Sequence, residues 1–191
     1  IYDIGLGGCL YSPSGINIPE LTEIIDAHGP KAFEVYATEH GAKFGDFSWR
    51  DEHLSANGKI DLFLPCAASQ TVTAQAAKKM VDMGLKYVSE GANNPTSPEA
   101  DQQFLAGGVT VIPDVLANAG GVAGSYMEMS KAASMSIPTE DETLEAVRGI
   151  LTKAWEQVHA ACESYGVDSL RLAGDALAVS KIAAAHQVRG W

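Results

Sequence analysis

The chain has 191 residues, 46% of them hydrophobic, enough to bury a sizeable core and too apolar for a disordered sequence. Its formal charge of −11 comes from acids spread along the chain with no cluster of Lys and Arg, which argues against a nucleic-acid partner. No apolar run is long enough to span a membrane and no signal-peptide pattern opens the chain, so a cytoplasmic protein is expected; Ile1 in place of Met leaves a preceding segment open.

Near the start, Gly5-Leu6-Gly7-Gly8-Cys9-Leu10 imitates the dinucleotide fingerprint G-x-G-x-x-G. Its sixth position is Leu10, no strand precedes it, and Ser12-Pro13-Ser14-Gly15 stands where a helix N-terminus would have to hold a pyrophosphate, so the run reads as a surface turn. Asn17-x-x-Glu20 then caps a helix that Gly29-Pro30 terminates.

Between Lys59 and Ser136, three short apolar runs each precede a segment with helical signals: Leu62 to Leu64, Tyr87 to Val88 and Val109 to Ile112. Thr73 to Met83 should be helical and stop at Gly84. The next helix should open at the capping-box spacing Thr96-x-x-Glu99, with Pro98 in its first turn, and close at Gly107-Gly108. This β-α-β-α-β-α alternation with short crossovers predicts parallel strands, covered on both faces and joined with right-handed connections. From Thr139 onward the pattern is helical. Leu144, Val147, Leu151, Trp155, Val158, Cys162 and Tyr165 make one apolar stripe that Gly166 should end, and an alanine-rich helix runs from about Asp168 to Arg189. The small side chains of this pair predict that it docks on another domain or subunit.

Ligands of open α/β sheets bind outside the carboxyl ends of the strands, which singles out three segments. Leu64-Pro65-Cys66-Ala67-Ala68-Ser69 exposes backbone groups through small side chains. Gly91-Ala92-Asn93 follows the next run, and Asn118-Ala119-Gly120-Gly121 opens a helix after the third. Adjacent parallel strands would place the Asn93 and Asn118 amides along one crevice, where each can donate and accept. Ser125, seven residues past Asn118, is two helical turns along and should point the same way. Cys9, Cys66 and Cys162 are odd in number, far apart and without C-x-x-C spacing, so they read as buried thiols rather than a disulfide framework or zinc site. The five histidines, His28, His40, His53, His159 and His186, show no ligand spacing, and no metal is expected. Glu90 and Asp114 each suit a loop at a sheet edge and take no catalytic role.

The run Ile112-Pro113-Asp114-Val115-Leu116-Ala117-Asn118-Ala119-Gly120-Gly121-Val122-Ala123-Gly124-Ser125, with Glu90-Gly91-Ala92-Asn93-Asn94-Pro95-Thr96-Ser97-Pro98-Glu99-Ala100-Asp101 upstream, resembles the cofactor domain of glutamate dehydrogenases within the amino-acid dehydrogenase family. The likeness covers nearly the whole chain. It implies an α/β fold, a Rossmann-like and mostly parallel sheet with helices on both faces, followed by a C-terminal helical segment. Residues 1–138 would form a partial dinucleotide-binding domain lacking the glycine-fingerprint strand, and so a central strand. Residues 139–191 would be helices packing back on a substrate domain.

By the same resemblance, Asp3 would bind the adenosine ribose hydroxyls and favour NAD over NADP, by repelling a 2′-phosphate. Ala67, Ala68, Ala92, Asn93 and Asn118 would line the cofactor. Val122 and Ser125 would hold the methylenes and side-chain carboxylate of glutamate, where leucine, valine and phenylalanine dehydrogenases carry an apolar residue at the Ser125 spacing. The implied reaction is reversible oxidative deamination of L-glutamate to 2-oxoglutarate and ammonia. The implied assembly is a homo-oligomer, typically a hexamer. The family's catalytic lysines and aspartate belong to a separate substrate domain, so the isolated chain is expected to be inactive. Another amino-acid dehydrogenase and a non-catalytic nucleotide-binding module stay open as alternatives.

Overall fold

A computed structural model describes residues 1–3, 5–45, 59–133, 135 and 138–190. His53 and Ser136 lie outside them. The chain divides into two compact units, Ile1–Lys59 and Ile60–Trp191.

In the first unit, β1 (Tyr2–Asp3), β2 (Gly8–Tyr11) and β3 (Lys43–Gly45) form an antiparallel sheet, with Tyr2 opposite Cys9 and Leu10 opposite Phe44. The surface-turn reading therefore covers only the first half of the glycine-rich run. Gly7, with φ of 83°, turns the chain, whereas Cys9 and Leu10 enter a strand and are buried. α1 (Ile18–His28) is capped as expected: the Asn17 side chain accepts from the Glu20 amide at 3.5 Å and donates to its carboxylate at 3.1 Å. Gly29 ends α1 with φ of 54°, but Gly29-Pro30 also opens a single 3-10 turn (Gly29–Lys31) that leads straight into an unanticipated helix, α2 (Ala32–His40). Pro tolerates the first turn of a helix because its missing N–H is unbonded there anyway. Leu10, Leu21, Phe33 and Tyr36 form this unit's core.

In the second unit, β4 (Leu62–Phe63), β5 (Tyr87–Ser89) and β6 (Thr110–Ile112) pair in parallel in that order, Leu62 with Tyr87 and Val88 with Val111. The crossovers are α3 (Ala74–Asp82) and α4 (Pro98–Ala106). Thr73 caps α3 by accepting from Ala76 N at 3.3 Å. The cap of α4 sits one residue later than the Thr96 spacing predicts. Ser97 Oγ accepts from Ala100 N at 3.2 Å, while the buried Thr96 hydroxyl makes no hydrogen bond to the described residues. Thr96 is instead paired in parallel with Val72. Ala77, Met80, Leu85, Val88, Ala100, Phe104 and Val109 are buried around this sheet.

Among the described residues, α5 (Asp114–Ala117), α6 (Gly120–Ala133), α7 (Glu140–Tyr165) and α8 (Leu170–Arg189) follow. Thr139 and Glu142 form a reciprocal capping box on α7, and Gly166 ends that helix in the left-handed conformation. The apolar stripe of α7 is only partly used. Val158 and Ala161 pack with Leu170 and Ala173 of α8 against Ile112 and Leu116, whereas Leu144, Trp155 and Tyr165 are exposed. Residues 181–189 of α8 are exposed throughout. The whole is an α/β fold with a parallel sheet, helical crossovers and a helical C-terminal segment.

Candidate functional site

The loops leaving the parallel strands are bonded to one another. Ala92 N donates to Pro65 O at 2.9 Å, joining the loop after β5 to that after β4. A Cβ on Gly91 would lie 2.5 Å from Cys66 Sγ, so only glycine admits this approach without displacing the thiol. Cys66 is exposed, contrary to the expectation of a buried thiol, because β4 ends at Phe63 and leaves the cysteine outside the sheet. Cys9 is buried and Cys162 half-buried. Further along, Gln70 N and the Gln70 and Ser69 side chains all donate to Asn94 O, at 2.9, 3.2 and 3.2 Å. Gln70 and Asn94 both hold positive φ, 56° and 45°. Such backbone is costly for non-glycine residues and persists where surrounding bonds fix it.

The two amides expected along one crevice meet directly. Asn118 Nδ2 donates to Asn93 Oδ1 at 2.7 Å. One bond between two amides leaves the Asn118 carbonyl oxygen and the Asn93 NH2 for a ligand. Asn118 does not open α6, however. It is the C-cap of α5, its N–H bonded to Asp114 O at 3.0 Å, and the first turn of α6 closes from Ala119. The seven-residue count to Ser125 therefore starts outside the helix. Within α6, Val122 and Ser125 are three apart and share a face, and both are exposed. A Cβ on Gly120 would sit 3.8 Å from Val147 and 3.9 Å from Leu151, which places the start of α6 on α7.

The other residues singled out from the sequence have simpler surroundings. Ala67 and Ala68 are exposed in the loop after β4, Ala68 O accepting from Thr71 Oγ1 at 2.9 Å, and Ala92 is half-buried. Asp3 ends β1 in the first unit, where its Oδ1 accepts from Leu6 N at 3.1 Å.

Beneath the amide pair lies a charged cluster that the sequence reading missed. Glu90, assigned to a loop at a sheet edge, is fully buried. Arg171 Nη2 donates to Glu90 Oε1 at 2.8 Å and to Asp101 Oδ1 at 3.4 Å, and Arg171 Nη1 lies 3.7 Å from Asp114 Oδ1. Burial works against the Arg171 charge, but bonding and attraction to Glu90, then Asp101, outweigh it and raise its pKa. The sequence signal was slight: an arginine in the first turn of an alanine-rich helix, 81 residues from its partner.

The donor set at these strand ends consists of neutral amides, backbone groups and small side chains. It suits a flat polar ligand carrying hydroxyl or carboxamide groups better than a bare charge or metal. Among the described residues no group of three or more His, Cys, Asp or Glu could hold a metal ion, and no helix is long and apolar enough to cross a membrane.

The chain is 33% identical over 187 residues to the NADP-specific glutamate dehydrogenase A1 of Halobacterium salinarum, covering 96% of this chain and 41% of that one. It is 31% identical to the catabolic NAD-specific glutamate dehydrogenase RocG of Bacillus subtilis, covering 96% and 40%. The solved glutamate dehydrogenase 2 of Plasmodium falciparum superposes with a TM-score of 0.80 at 25% identity, covering 95% of this chain and 40% of that one. The chain thus spans about two fifths of the length of these relatives. The sequence pattern of the Glutamate/Leucine/Phenylalanine/Valine dehydrogenase family matches residues 4–190, and the chain belongs to that family.

Proposed function

We propose that the chain is the nicotinamide-binding portion of a glutamate dehydrogenase, catalysing the reversible reaction L-glutamate + NAD⁺ + water to 2-oxoglutarate + ammonium + NADH + a proton. The single observation carrying this reading is the Asn93–Asn118 bond of 2.7 Å at the carboxyl ends of adjacent parallel strands. When bound, the nicotinamide supplies the hydride acceptor. The Asn118 carbonyl and Asn93 NH2 orient the carboxamide or ribose hydroxyls, and Ala67, Ala68 and Ala92 let the cofactor lie close to the backbone. Val122 packs on the substrate methylenes and the Ser125 hydroxyl donates to the side-chain carboxylate.

Asp3 holds the adenosine ribose hydroxyls through the carboxylate oxygen not bonded to Leu6, which favours NAD; the relatives include both specificities. Proton transfer and substrate activation fall to lysines and an aspartate of a substrate domain elsewhere in a larger polypeptide, which assembles as a homo-oligomer, a hexamer by the family's habit. The chain on its own is then inactive.

The test is steady-state kinetics of the complete polypeptide with glutamate and an unbranched apolar amino acid, using NAD and NADP. Ser125→Ala should lower kcat/KM for glutamate by roughly tenfold to a hundredfold, the loss of one hydrogen bond to a charged group, and affect the apolar substrate less. Equal losses for both substrates would sink the Ser125 role. A higher kcat/KM for the apolar substrate in the unmutated enzyme would favour a leucine-, valine- or phenylalanine-type dehydrogenase, and a preference for NADP would remove the role of Asp3.

A further inference from the structure

We propose that Arg171, Glu90 and Asp114 are positioning residues that set the geometry of the Asn93–Asn118 amide pair; its consequence for cofactor binding rests on the function proposed above. Glu90 is fully buried and its two oxygens serve different elements. Oε1 takes the Arg171 guanidinium from α8 at 2.8 Å, and Oε2 takes the backbone N–H of Asp114 at 3.0 Å. Asp114 repeats the division. Its Oδ1 accepts from Val115 N at 2.9 Å, starting α5, and its Oδ2 accepts from Asn94 N at 2.8 Å.

Both amides are therefore tied to residue 114 by short paths. Asn93 precedes Asn94, whose N–H the Asp114 carboxylate holds. Asn118 caps the four-residue helix that Asp114 begins, through a 3.0 Å bond to Asp114 O. The bonds that fix the left-handed turn at Asn94 all go to its backbone N and O, so its position is set by these partners rather than by its own side chain.

Arg171 closes the relay from the far side. Without it, Glu90 is a buried carboxylate whose remaining partner is the Asp114 backbone N–H, a state relieved by moving towards water. Movement loosens Asp114 and, with it, both amides. The Arg171 contact to Asp101 on α4 runs in a different direction and touches neither amide, so it separates a positioning effect from a general loss of charge pairing.

The test uses the complete polypeptide labelled with ¹⁵N-asparagine, reading the side-chain NH2 signals of Asn93 and Asn118 by NMR, with NADH and NADPH affinity measured by fluorescence titration. Arg171→Met and Asp114→Asn should move the Asn118 signal toward that of a free amide and weaken cofactor binding about tenfold, a coupling typical of residues in one network. Asp101→Asn should leave the amide signals where they are. Adding Asn118→Ala to Asp114→Asn should give no further loss, because both act through one bond.

Unmoved amide signals in Asp114→Asn, or losses that multiply to about a hundredfold in the double variant, would overturn the proposal. Asp114→Asn carries this test even if Arg171→Met does not fold, since it preserves side-chain shape. If Asn118→Ala leaves cofactor affinity unchanged while the signals still respond to Asp114→Asn, the positioning relay stands and the nicotinamide reading of the pair falls.

Discussion

Gly107→Ala sets two effects of opposite sign against each other where α3 meets α4. Gly107 caps α4 with φ of −83° and ψ of 1°, at negative φ in the bridge region, which is sparsely populated but allowed to alanine. On backbone entropy alone the substitution should stabilise the fold by about 0.4–1 kcal/mol. The new Cβ would, however, lie 2.5 Å from Val81 Cγ1, 2.9 Å from Cγ2 and 3.2 Å from Gln103 O. Val81 sits on α3, and a β-branched residue in a helix has one strongly preferred rotamer, so it cannot simply swing aside. Overpacking of this kind costs about 1–3 kcal/mol, so the steric effect wins and a net loss near 1 kcal/mol is expected. Urea unfolding followed by circular dichroism measures it as a lowered midpoint at unchanged slope. In a Val81→Ala background the clash is gone and the same Gly107→Ala change should become neutral or stabilising. A stabilising effect with Val81 in place, or no dependence on residue 81, would refute the argument.

Two further outcomes follow from the site and the helix cap. Cys66 is exposed and Cys9 buried, so a thiol reagent should modify Cys66 in the native protein and Cys9 only after unfolding, and on the function proposed above NADH should slow the Cys66 reaction in the complete polypeptide; mass mapping that finds Cys9 labelled first would contradict the placement. The Glu142 pKa is lowered, first by the Thr139 backbone N–H and then by its side chain, so its stabilisation of the α7 N-terminus is full above the ordinary carboxylate range and lost as pH falls through the lowered value. Hydrogen exchange in the first turn of α7, corrected for intrinsic rates, should rise on acidification in the native protein and lose that pH dependence in Glu142→Gln.

How much of this was legible in the sequence depends on the range over which each feature is decided. β4, β5 and β6 could be read because each is a short apolar run closed by turn residues and followed by a helix, and such alternation leaves little choice but a parallel sheet. The first unit resisted the same reading. Its β2 contains only one β-branched or aromatic residue, Tyr11, and opens with Gly8, so its strand character comes from pairing with β1 and β3 rather than from local preference. The α4 cap slipped by one position because Thr96 and Ser97 are both competent, and the choice fell to Thr96's pairing with Val72, which no spacing rule contains.

The candidate site divides along the same line. Neighbouring parallel strands bring their carboxyl ends together whatever lies between them in the chain, so strand order brings the loops of Asn93 and Asn118 side by side, and α5, whose C-cap is Asn118, completes the approach. The bonds beneath them do not. A buried carboxylate on β5's exit, a guanidinium on the last helix and an aspartate opening a one-turn helix are three isolated charges in the sequence, each suited to a solvated surface. They become one device only when α8 packs through Leu170 and Ala173 onto Ile112 and Leu116, setting Arg171 over Glu90. The apolar contacts of the C-terminal helix therefore bring to the strand ends the cation that pairs with the buried Glu90 carboxylate, a charge whose burial without a partner would be strongly destabilising.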